Sequence, residues 1–275
     1  MQFSTTGLWP RADPPSGRLS TLAGLHPAPD ETRDRVPRLG VLAFGDSITN
    51  GGGELQWGVA LQSWALWVAR GLGVPFTGFA VDGARVEDLV DEQLSAFERC
   101  TADPAARYDL GCLYIGVNDV RATDWDAARF EERFGRALRF IAGRCERVLT
   151  VTAPLDLGRP RAGAKVGELN AAIARAASER GALVLDLSGW GARNLVMADH
   201  VHPTAFGQVA IAERALALLE RDGMRVAVRP SALIRYEPTS WDRLRGDATY
   251  AYRHLKISAR ALSFWFRPPR PRSLR

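Results

Sequence analysis

Ser47 stands in the stretch VLAFGDSITNGGGE (41–54), directly behind an apolar run and on a turn thick with glycine. A serine so placed can attack a carbonyl, cradle a phosphate or simply make the turn. The phosphate reading needs a Gly-Lys-Ser/Thr ending or a G-x-G-x-x-G leading straight into a helix, and the stretch has neither. The nucleophilic reading needs a base, because a serine hydroxyl attacks poorly until its proton is taken, and the base needs a third group to hold its tautomer. The chain has four histidines, at 26, 200, 202 and 254. His26 sits in a proline-rich leader and His254 in a basic tail. His200 and His202 lie together in MADHVHPTAFG (197–207), where Asp199 precedes His202 by three residues. In a turn leading into a helix, that spacing lets the carboxylate reach back to the ring Nδ1 and leaves Nε2 free to face the serine. Pro203 holds His202 in extended backbone, which fixes the ring's direction.

Acyl transfer also needs a sink for the negative charge that develops on the carbonyl oxygen, and each preorganised donor is worth about 10²–10³ in rate. Three donors are available: the backbone N–H of Ser47, the backbone N–H of Gly83 in AVDGA (80–84), and the side-chain amide of Asn118 in GVND (116–119). Gly83 suits the role because a residue without Cβ lets a substrate approach the backbone. The alternatives are bland. Asp46 reads as a turn stabiliser, Asp119 as a loop or cap residue, His200 as solvent-facing or capping, and Trp57 as core or, less simply, a substrate platform. A metal held by Asp199, His200 and His202 would need further ligands, and no spare His or Cys pair supplies them.

These residues must be brought together by elements that the hydrophobic pattern places in alternation. Strands are expected at 39–44, 76–81, 110–117, 147–154 and 182–187, and helices at 61–73, 86–100, 126–144, 166–181 and 205–220. Strands alternating with helices imply crossover connections and a parallel sheet covered on both faces. In such sheets ligands bind beyond the carboxyl ends of the strands. Ser47, Gly83, Asn118 and the His202 segment all follow such ends, so they share one rim.

Four blocks, GDSIT (45–49), the glycine of AVDGA, GVND (116–119) and DHVHP (199–203), stand in the order and approximate spacing of the SGNH hydrolases, the GDSL esterase/lipase family, which the chain resembles from about 37 to 222. The resemblance implies a three-layer α/β/α sandwich with a five-stranded parallel sheet of flavodoxin-like appearance, and serine ester hydrolysis without metal or cofactor. It makes Ser47 the nucleophile, His202 the base and Asp199 its orienting acid, with Ser47, Gly83 and Asn118 forming the oxyanion hole. An acyltransferase using the same triad is one alternative, and a docking protein with a vestigial site another. The sequence departs from the family at Ile48, where the family's name has leucine, at Gly78, where asparagine is frequent, and at Asp82, a frequent serine. Asp82 would disfavour anionic substrates if it pointed into the site.

The flanks differ from this body. Residues 1–36 are proline-rich and show no periodicity. The first 20 residues lack the apolar core of a secretory signal, and the three cysteines fit neither a disulfide framework nor a zinc pattern, so a cytoplasmic protein is expected. Net charge is +5, but residues 224–275 hold 12 Lys and Arg against 3 Asp and Glu, while residues 1–223 hold 24 against 28. Within this basic tail (223–275), residues 252, 255, 259, 262 and 266 form an apolar stripe at helical spacing. Such a helix either associates peripherally with an anionic membrane or packs back on the domain with its arginines in water. No recognition motif for nucleic acid is present. The partner expected is a small-molecule ester.

Overall fold

The computed structural model describes residues 39–56, 59–101, 103, 105–192, 194–234 and 239–265. The proline-rich leader, Trp57 and Phe266 lie outside them. Five parallel strands, β1 (Val41–Gly45), β2 (Phe76–Gly78), β3 (Tyr108–Tyr114), β4 (Cys145–Val151) and β5 (Leu183–Leu185), form one sheet in the order β2-β1-β3-β4-β5. Val41 is in register with Phe76 on one side and Leu110 on the other. The order reverses direction between β1 and β3, the switch point at which doubly wound sheets open a crevice.

Helices cover both faces, as right-handed crossovers require. On one face α1 (Trp64–Leu72) packs against α6 (Ala205–Arg221), and on the other α4 (Ala127–Ala142) packs against α5 (Lys165–Ser178). The segment expected as one helix over 86–100 is helical throughout but changes pitch: α2 (Val86–Asp88) opens into a π-helical turn (Leu89–Gln93) and closes as α3 (Leu94–Cys100). Local chemistry sets the ends. Ser63 Oγ accepts from the Ala65 N–H at 3.1 Å to start α1, and Gly73, in the left-handed region at φ +72°, stops it. Asp126 caps α4 by accepting from the Ala128 and Arg129 N–H groups.

The central strands β1, β3 and β4 are buried along most of their length, β1 wholly from Val41 to Phe44, which is why these segments read as continuous apolar runs. Between sheet and helices Phe44, Phe79 and Phe97 form an aromatic cluster with ring centroids 5.6–6.0 Å apart. Gly111 in β3 lets α4 close on the sheet, since a Cβ there would lie 2.2 Å from Ile141 Cγ2. Cys112 and Cys145 are buried free thiols, and burial pushes both up, Cys145 to about 12; Cys100 at the end of α3 is exposed.

Past α6 the chain makes a 3-10 turn (Pro230–Leu233) and then α7 (Ser240–Trp265), a 26-residue helix that begins well before the stripe read from the sequence. Among the described residues no helix is long and apolar enough to cross a membrane.

Candidate active site

β1 ends at Gly45, and the turn after it is built around Asp46. Its Oδ1 accepts from the Ile48 N–H at 2.9 Å, the turn-stabilising role expected of it. The carboxyl is wholly buried, Oδ2 has no hydrogen-bond partner, and burial pushes its pKa up to about 7. Gln93, from the π-helical turn, brackets the strand end: its Oε1 accepts from the Gly45 N–H (3.1 Å) and its Nε2 donates to the Gly45 carbonyl (2.8 Å). Ser47 sits on this fixed turn at 9% exposure.

The glycine run after Ser47 exists for close approach rather than for phosphate. A Cβ on Gly53, which has φ +154°, would lie 2.2 Å from the Pro203 carbonyl oxygen. Next to it the Ala205 N–H donates to the Glu54 carbonyl at 2.9 Å. The serine loop and the histidine loop are thereby stitched edge to edge. Gln208 ties the same junction from α6: its Oε1 accepts from the Trp64 N–H (2.8 Å), and its Nε2 donates to the carbonyls of Ile48 and Gly52 (both 3.0 Å).

The histidine loop is shaped by one carboxylate. Asp199 Oδ1 accepts from the backbone N–H groups of Val201 (3.0 Å) and His202 (3.1 Å), and Oδ2 lies 2.8 Å from His202 Nδ1. Between them His200 takes a left-handed backbone, φ +56°, uncommon for a residue with a Cβ and a local cost that the surrounding contacts must hold. Thr204 comes next but one after His202, and its Oγ1 caps α6 by accepting from the Gly207 N–H at 3.0 Å, so His202 is two residues from a helix N-cap.

Ser47 Oγ lies 2.8 Å from His202 Nε2. Because Asp199 can only accept at Nδ1, that nitrogen carries the proton, Nε2 is the acceptor, and the Ser47 hydroxyl donates to it. The Asp199 hydrogen bond holds the His202 pKa above its ordinary value against the opposing effect of burial. Burial works to raise Asp199, but the hydrogen bonds from His202 and the backbone outweigh it and leave the carboxyl below its ordinary value.

The other two sequence-predicted donors form a second group. Gly83 is exposed, at φ +78°, with open space where a Cβ would stand. Asn118, after β3, donates from Nδ2 to the carbonyl of Ala84 at 3.0 Å, which binds it to the Gly83 turn. Asn50 joins this group to the serine loop by donating to Asp82 Oδ1 at 2.9 Å, and Asp82, the unusual acid beside Gly83, is exposed in that bond. Asp119 is the cap expected of it, accepting from the Val86 N–H, with burial pushing its pKa up to about 6.

His200 departs from expectation. It is 17% exposed rather than solvent-facing, because its Nδ1 is 2.9 Å from Asp156 and its Nε2 accepts from Arg159 (3.1 Å) and Arg161 (3.3 Å). Burial, then Arg161, holds its pKa below the ordinary value. Among the described residues no three His, Cys, Asp or Glu side chains gather so as to hold a metal ion.

Gln93 and Gln208 were missed from sequence. Each occupies an apolar-face position of an amphipathic helix, and a glutamine in such a stripe is the signal that finds them.

The model of the GDSL-like lipase/acylhydrolase family matches residues 43–210. Among solved structures the chain is similar to a member of the lipolytic protein G-D-S-L family from Veillonella parvula DSM 2008, at 22% identity and TM-score 0.54 over 66% of this chain and 98% of that one. It is also similar to Axe2, an acetylxylan esterase from Geobacillus stearothermophilus, at 18% identity and TM-score 0.50 over 67% and 95%. LAE5, an α/β hydrolase enzyme from the metagenome of Lake Arreo, Spain, matches at 19% identity and TM-score 0.51 over 66% and 94%. At these identities the likeness establishes the fold. No curated protein matches by sequence. With the five-stranded parallel sheet, the family match over most of the body places the chain in the GDSL-like lipase/acylhydrolase family, and its activity is that of a carboxylic ester hydrolase.

Proposed function

We propose that this hydrolase works through an acyl-enzyme on Ser47. The observation that carries the reading is the unbroken relay from Ser47 Oγ to His202 Nε2 and from His202 Nδ1 to Asp199 Oδ2, both steps at 2.8 Å. His202 takes the Ser47 proton as the oxygen attacks the ester carbonyl, and Asp199 steadies the imidazolium that forms. The Ser47 and Gly83 backbone N–H groups and the second amide hydrogen of Asn118 receive the oxyanion. The imidazolium then protonates the leaving alcohol. Water, deprotonated by the same ring, releases the acid.

In this reading residues 37–222 are the hydrolase domain, 1–36 an extension and 223–275 an appended tail. The substrate is a small-molecule ester, and Axe2's acetyl ester marks the acyl size to try first. Three free cysteines fit work in the reducing cytoplasm. A fluorophosphonate probe tests the mechanism: labelling at Ser47, located by peptide mass spectrometry and lost in His202→Ala, is expected. A folded chain that does not label, or labels equally without His202, overturns it.

A further inference from the structure

α7 (Ser240–Trp265) lies past the matched family segment. Through Leu262, none of its side chains belongs to the hydrophobic core or packs against it. Polar contacts join it to the body. Arg253 pairs with Glu54, and Arg159 donates to His254 Nε2 (2.7 Å) and to the Ser258 hydroxyl. These residues, with Ile257 and Ala261, lie on the half-buried face of the helix.

The opposite face is apolar and exposed. Trp241, Leu244, Tyr252, Leu255 and Leu262 are 59–71% exposed, and with Ala248 and Ala259 they recur every three or four residues along nearly the whole helix. An amphipathic helix folded back on its own domain turns its apolar stripe inward. Here the face turned to the body carries Arg253, His254 and Ser258 beside Ile257 and Ala261 and the long stripe faces out, so the reading in which the stripe packs back on the domain fails. A contiguous exposed apolar stripe marks a surface for something else.

Charge identifies the occupant. By helical position Arg245, Lys256 and Arg260 border one side of the stripe, and residues 240–265 carry five Arg and Lys against two Asp. Two copies joined stripe to stripe would bring these cations together. An anionic lipid surface accepts both the apolar side chains and their basic border.

We propose that the outer face of α7 docks on an anionic lipid bilayer, with Trp241, Leu244, Tyr252, Leu255 and Leu262 at the boundary of headgroups and acyl chains. Glu54 lies in the serine loop, and Arg159 also holds His200, two residues from His202. A docked α7 therefore holds the body that carries the candidate active site beside the bilayer, which brings esters of lipid character near it. That last step rests on the esterase reading; the docking does not.

The test is sedimentation of the full chain with vesicles of phosphatidylcholine alone and of phosphatidylcholine mixed with phosphatidylglycerol. Binding to the mixed vesicles, weakened by added salt, is expected. Leu255→Glu with Leu262→Glu should lower partitioning by about tenfold or more, and Lys256→Gln with Arg260→Gln by about fivefold per charge on the mixed vesicles only. Circular dichroism should show native helix content in both double variants. Failure of the native chain to bind mixed vesicles, or binding indifferent to the leucines, overturns the proposal. A dimer in light scattering that Leu255→Glu turns into a monomer also overturns it, because the stripe is then a seam between copies. Fluorophosphonate labelling without vesicles keeps the two readings apart: a chain that labels but does not bind sinks docking alone, and one that binds but does not label sinks the esterase reading alone.

Discussion

Asp199 does three things with two oxygens: it orders the backbone of Val201 and His202, sets the His202 tautomer, and holds that ring's pKa up. In the proposed mechanism His202 takes the Ser47 proton only when it is itself unprotonated, so kcat/KM should rise with pH through a midpoint above the ordinary histidine value of 6.5. In Asp199→Asn the midpoint should move down while kcat falls by about 10³–10⁴, as expected when the tautomer is no longer held. A pH–rate profile of both proteins checks the pair of effects. Asp46 makes a separate prediction about stability. Its folded pKa is raised to about 7 from 3.8, so its contribution is fully present below 3.8 and is lost as pH climbs through about 7. Asp46→Asn should flatten that part of the decline, measured as urea unfolding free energy across the interval. That Ser47, His202 and Asp199 would meet was legible in sequence, because a serine after the first strand and an Asp-x-x-His before the last helix fall on one rim of the sheet. The burial of Asp46 was not, since nothing local says which side of a turn faces the core.

At the scale of elements, the alternation of strand and helix came from periodicity, with the helices of the body placed to within about three residues. β2 and β5 are shorter than their apolar runs, three residues each, because edge strands pair on one side only. The π-helical turn at Leu89–Gln93 was hidden: a wider turn keeps the amphipathic pattern almost unchanged while rotating α3 about the helix axis. Its effect is to deliver Gln93 to the end of β1. Gln208 does the corresponding work from α6, and its removal is the sharper test. Gln208→Leu keeps the side chain's bulk but strands the Trp64 N–H and the Gly52 carbonyl and leaves the Ile48 carbonyl only its bond from the Gly51 N–H. Stability should fall by about 2–4 kcal/mol, since each buried group left unpaired costs about 1–3 and the carbonyls relax in part. Activity should fall more than the folded fraction does, because the loop carrying Ser47 loses its fastening. Calorimetry beside kinetics at a temperature where the variant stays folded reads both.

For the whole molecule, the charge division between body and tail was plain in the composition, and so was the apolar stripe. Which way the stripe would face was not, because that depends on Arg159, Arg253 and Glu54, and long-range polar contacts leave no period in a sequence. Arg159→Ala removes the hydrogen bonds to His200, His254 and Ser258 together. Amide exchange in 250–262 should then quicken markedly while the sheet stays protected, since the described side chains of α7, through Leu262, contribute nothing to the core. Exchange that stays slow in α7 would mean that its hold on the body lies elsewhere.

The distribution of thiols gives this chain a practical property. Cys112 and Cys145 are sealed in the body and held in the unreactive protonated form, whereas Cys100 stands open at the end of α3. Thiolates, not thiols, are alkylated. A maleimide dye at neutral pH should therefore attach at one place in the native fold and at three in denaturant. The unmutated protein thus arrives with its own single attachment point for a spectroscopic reporter, and the stoichiometry of attachment is itself a gauge of whether the body is intact.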